Sequence, residues 1–70
     1  MEPLAVSEVA PAMLANTMAR LGAAYMKDRS NDVRHVYFSR RLNRWFAVSR
    51  QANGLVRVAA YAQCPCAMRA

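Results

Sequence analysis

Residues 33–62 read VRHVYFSRRLNRWFAVSRQANGLVRVAAYA. Three runs rich in β-branched and aromatic residues, Val33 to Ser39, Arg44 to Gln51 and Leu55 to Ala62, are separated by two breaks, Arg40-Arg41-Leu42-Asn43 and Ala52-Asn53-Gly54. The runs alternate with the period of two that half-buried strands require, and breaks this short close hairpins. The stretch therefore predicts a three-stranded antiparallel meander. Loop length decides which side chains share a face. A loop of Ala52, Asn53 and Gly54, with Gly54 left-handed, pairs Val48 with Val58, Phe46 with Ala60 and Trp45 with Tyr61. A tighter Asn-Gly turn would instead set Arg50 opposite Arg57, a like-charge pair. The same loop type at Arg41-Leu42-Asn43, with Asn43 left-handed, pairs Phe38 with Phe46 and Val36 with Val48. Both hairpins then agree on one inner face of Val36, Phe38, Phe46, Val48, Val56, Val58, Ala60 and Ala62.

Upstream the period changes. Pro11 suits the first turn of a helix, where its missing N–H is not needed. Leu14, Met18, Leu21 and Tyr25 then recur at i, i+4, i+7 and i+11, an apolar stripe that predicts an amphipathic helix over residues 11–27. Gly22 reads as a tolerated mid-helix glycine costing about 1 kcal/mol. The polar run Asp28 to Asp32 turns the chain. Residues 1–10 form an irregular lead and 63–70 a frayed tail. The expected architecture is a single small α+β domain, α-β-β-β, with the helix packed on the inner face of the meander.

One helix covers one side of a sheet. The outer face would therefore stand open, with His35, Tyr37, Trp45, Arg57 and Tyr61 on it and Arg40, Arg41, Arg44 and Arg50 around it. Exposed rings stack on bases for about 1–3 kcal/mol each while guanidinium groups track phosphates. The charge fits: ten Lys or Arg against four acidic residues leave +6, and Lys27 is the only one of the ten that is not Arg. Arg is the planar fork that pairs with phosphate or carboxylate and stacks on flat rings. These residues point to a small basic protein that binds nucleic acid through the open face and the basic hairpin. An alternative with the same surface is a protein-binding inhibitor or adaptor, since exposed Trp and Tyr also mark protein interfaces. In the expected meander the first and third strands are both free edges, which favours a homodimer.

Seventy residues allow one domain and exclude a multidomain enzyme. The apolar fraction of 56% is too high for a disordered chain, although Ala, with little bulk, supplies 14 of those residues. No basic n-region or long apolar run marks a signal peptide or membrane span, so the chain reads as cytoplasmic, with no membrane partner and with reduced thiols. Cys64 and Cys66 flank Pro65: two ligands do not complete a zinc site, and one intervening residue is not the usual redox spacing. No metal and no cofactor is expected. His35 could serve as a general base for RNA cleavage with Arg57 and Tyr37 assisting, a minor alternative of the ribonuclease-toxin kind, but no carboxylate supports it and a non-enzymatic reading stands.

Overall fold

The computed structural model describes residues 2–65. It is α+β: one α-helix and a five-stranded antiparallel sheet. In chain order the elements are β1 (Ala5–Val9), a 3-10 turn (Pro11–Met13), α1 (Leu14–Leu21), β2 (Ala23–Tyr25), a second 3-10 turn (Lys27–Arg29), β3 (His35–Ser39), β4 (Arg44–Arg50) and β5 (Val56–Tyr61). The sheet order is β1-β5-β4-β3-β2, so the predicted meander forms its middle and each of its outer strands has gained a neighbour.

Two of the extra elements come from segments with another expected role. The lead pairs along β5, Ala5 opposite Ala60 and Val9 opposite Val56, because the run between Pro3 and Pro11 can donate to a ladder that β5 would otherwise leave open. The helix is shorter than expected, ending at Leu21. Gly22 takes the left-handed conformation at φ 67°, and its N–H is donated to the Ala19 carbonyl 3.0 Å away. That is a helix C-terminal glycine, not a mid-helix one. Past it the chain is extended, and Ala23 to Tyr25 become an edge strand on β3.

The second hairpin has the expected register: Val48 faces Val58, Phe46 faces Ala60 and Trp45 faces Tyr61, with Gly54 at φ 87°. The first hairpin does not. Asn43 is left-handed, at φ 54°, as expected, but the loop is Arg40 to Asn43, one residue longer. Tyr37 therefore faces Phe46, Val36 faces Ala47 and Phe38 faces Trp45. A slip of one residue turns every side chain of β3 over. Val36 and Phe38 leave the helix side, and His35, Tyr37 and Ser39 take their place.

Ser39 supplies the reason. It is fully buried, donates its hydroxyl to the Leu21 carbonyl at 2.7 Å and accepts the Leu42 N–H at 3.2 Å. One hydroxyl thus satisfies an unpaired carbonyl at the helix end and a donor in the hairpin loop. An apolar residue there would leave both unmet, which costs more than the ordinary net value of a hydrogen bond.

The helix-side core is Met18, Phe46, Val48, Val56 and Val58, with Leu14 and Leu21 packed against it. The helical stripe is real up to Leu21. The rear face, expected to be open, carries a second cluster of Ala47, Ala59 and Tyr61 with Trp45 against it, and Val36 is also fully buried. The segment before the meander reaches Trp45 on this face and meets the segment after it. The Arg29 guanidinium lies 5.3 Å from the centre of the Trp45 ring and also donates to Cys64 Sγ at 3.4 Å, and Pro65 is fully buried. Cys64 is disulfide-bonded, so the reduced-thiol expectation does not hold for it, and the expected frayed tail is packed at least as far as Pro65. Cys66 and the residues after it lie outside the described residues.

Candidate nucleic-acid interface

The nine residues expected to share one surface are divided among three places. Trp45 and Tyr61 are on the rear face, Trp45 half-buried between Phe38, whose ring centre is 4.6 Å away, and Arg29. Tyr61 is only 4% exposed. Neither offers an open ring for stacking, which corrects the expected platform. Arg57 shares that face, half-buried, directly opposite Glu8 on β1 and Ser49 on β4.

Arg40, Arg41 and Arg44 gather at the β3–β4 hairpin, all exposed. Arg41 reaches back to the end of α1, where its guanidinium donates to the Arg20 carbonyl and lies beside Gly22. It thereby meets the negative end of the helix. Arg44 donates to the Asn43 carbonyl at 3.0 Å. This end of the molecule is basic, with Arg20 joining it from the last helical turn.

His35, Tyr37 and Arg50 stand on the helix-side face at the opposite end of β3, and they line one open groove of about 560 Å³ with Leu14, Asp32 and Val33. The groove opens at the Leu14 end of α1, away from the hairpin that Leu21 and Gly22 meet; α1 itself has eight residues. At about 1.5 Å per residue it spans roughly 12 Å, about half the length expected of a helix over 11–27. Its apolar stripe packs on Phe46, Val48, Val56 and Val58, with Ala23 and Tyr37 against the same cluster, and the groove runs from Leu14 over His35, Tyr37, Val48 and Arg50. Tyr25, expected in the helical stripe, is instead on β2 directly opposite Tyr37 and is 48% exposed.

Tyr25, His35 and Tyr37 form one cluster. The Tyr25 hydroxyl and His35 Nδ1 are at hydrogen-bond distance, 3.1 Å, and the Tyr25 ring meets Tyr37 edge-on with centroids 5.4 Å apart. Burial first, and then the neighbouring Tyr25, raise the Tyr37 phenol above the ordinary tyrosine value, so it stays a neutral hydrogen-bonding group. Tyr25 also borders a second hollow of about 620 Å³ with Lys27, Arg29 and Arg34. The Tyr25–His35 contact therefore joins a groove ending in Arg50 to a hollow rimmed by basic side chains.

No family model matches this chain, and no curated protein or solved structure matches it either. The functional reading therefore rests on the residues alone.

Among the described residues no group of three or more His, Cys, Asp or Glu is placed to hold a metal ion. Among them, too, no helix is long and apolar enough to cross a membrane. Sequence reasoning missed Tyr25 because its spacing from Leu21 continues the helical stripe. The available signal was Gly22, four residues past Met18 in a helix already carrying its full apolar face.

Proposed function

We propose that this chain binds single-stranded nucleic acid along the strip from Arg50 through Tyr37, His35 and Tyr25 to Lys27 and Arg34, acting by binding and not by catalysis. The observation that carries the reading is the aromatic cluster left uncovered beside α1 in a chain of charge +6. An unpaired base can lie against Tyr25 or His35, and flexible phosphates can reach the basic side chains at either end. The strip is open rather than deep, which suits a strand more than an enclosed small molecule. The Arg40, Arg41 and Arg44 hairpin adds positive potential at the far end of β3, about 13 Å away at the usual strand rise.

The test is anisotropy of a labelled oligonucleotide at two salt concentrations. Binding should weaken steeply with salt, and Arg50→Ala should reduce the slope of log affinity against log salt by about one. Because Trp45 is half-buried on the other face, its emission should change little on binding. Absence of binding at low salt, or binding indifferent to both Arg50→Ala and Tyr25→Ala, refutes this reading.

A protein partner is the second reading. Val33, 76% exposed, lines the same groove and gives it an apolar rim, as a protein interface would have. A partner retained from lysate after nuclease treatment would favour it. In either case the domain is proposed to act as a homodimer.

A further inference from the structure

The expected dimer edges, β3 and β5, are both occupied, and the sheet ends instead at β1 and β2. We propose that two copies of this chain join through β1, antiparallel about a two-fold axis at Ser7, to make one continuous ten-stranded sheet.

Four observations lead there. First, β1 has five residues with a strand on one side only, whereas β2 has three. The one charged residue of β1 is Glu8 and its flanking prolines lie outside the paired run, so the backbone groups of the strand itself remain free to pair. Second, the large apolar side chains Leu4 and Val6 are 58% and 48% exposed on or beside this strand, and Met13 is 45% exposed just after it.

Third, charge is segregated along the chain. Residues 2–19 contain Glu2 and Glu8 and no Lys or Arg, while residues 20–65 contain nine Lys or Arg against Asp28 and Asp32. Two strongly basic molecules repel wherever basic surfaces meet, and β1 is the edge that keeps them apart. The β2 edge is followed at once by Lys27 and Arg29 and would bring like charges together.

Fourth, the strand is its own complement. Pro3 and Pro11, which cannot donate to a ladder, lie equally far on either side of Ser7, so the proline-free run Leu4 to Ala10 is symmetric about that residue. Pairing about Ser7 sets Val6 opposite Glu8 of the second copy and Ala5 opposite its Val9. Pairing about Glu8 would oppose two carboxylates, and pairing about Val6 would put Pro3 inside the ladder. The internal contacts of β1 need not change: Glu8 keeps the Gln51 side-chain amide, donated at 2.8 Å, and the strand keeps its register on β5.

Sedimentation and cysteine cross-linking of the full chain test this. The expected particle is twice 7.8 kDa. Val6→Glu places two carboxylates opposite one another at each of two positions and should weaken the dimer roughly tenfold. Adding Glu8→Lys to it should restore the association. Ser7→Cys should cross-link to itself on air oxidation, since directly opposed residues have Cα atoms about 5 Å apart. Ala5→Cys, four residues out of step with its own copy, should not. The cross-link decides the matter even if Val6→Glu fails to fold. A chain that stays monomeric at its highest soluble concentration overturns the proposal, as does a dimer in which Ser7→Cys cross-links no faster than Ala5→Cys. Oligonucleotide binding by a monomeric Val6→Glu chain would leave the strip reading intact, so the two proposals fail separately.

Discussion

Each face of the sheet carries aromatic rings with Arg nearby, yet they end in different states. On the rear face Tyr61 is buried and Trp45 lies half-buried between Phe38 and the Arg29 guanidinium, whereas on the helix side Tyr25 and His35 are left exposed. The rings of Tyr61 and Trp45 are thus more completely buried than those of Tyr25 and His35. An eight-residue helix spans only part of a five-stranded sheet, and on the other face the Arg29 side chain reaches over Trp45.

This difference can be broken from the rear first. Tyr61→Ala removes a buried ring from the smaller cluster and should cost about 3–5 kcal/mol, comparable with the whole stability of a domain this size, so urea unfolding should lose its folded baseline. On the helix side, Tyr25→Ala should leave the urea midpoint nearly unchanged and cost about 1–3 kcal/mol of oligonucleotide affinity. Trp45→Phe, by contrast, should bind as the parent does. Equal loss of affinity from the two substitutions would erase the distinction between the faces.

The boundary that shortens the helix comes next in size. Gly22→Ala forces a side chain into the left-handed region, with the new Cβ 3.3 Å from Arg41 Nε, and should lower stability by about 1–2 kcal/mol in thermal unfolding. An alanine that stabilised the protein would mean the helix can run on toward residue 27.

The smallest effect concerns pH. The folded state holds the Tyr37 proton more tightly than the unfolded chain does, because burial and then Tyr25 disfavour the phenolate. Stability from this source is complete below the ordinary tyrosine value of about 10 and declines as pH rises above it. Tyr37→Phe should flatten that decline, measured as the urea midpoint across the alkaline range.

Particular residues explain what was legible. The second hairpin could be read from Gly54 and from the like-charge pair that a tighter turn would create. Its register, and the helical stripe Leu14, Met18 and Leu21, follow from local pattern. The first hairpin could not be read in the same way, since either loop length gave β3 a plausible apolar face: Val36 and Phe38 on one side, Tyr37 on the other. β1 was missed because its alternation is brief and weakly apolar, and β2 because Tyr25 fits the helical period as well as the strand.

Local chemistry therefore determined the class of the fold, the middle strands, the turn glycine at 54 and the excess of Arg. Tertiary structure decided which way β3 faces, through the Ser39 hydroxyl bonded to the Leu21 carbonyl. It also decided where the helix stops and which segments complete the sheet. A period of two says that side chains alternate; which set is turned inward depends on partners that are distant in sequence, here a buried hydroxyl meeting a helix end eighteen residues away.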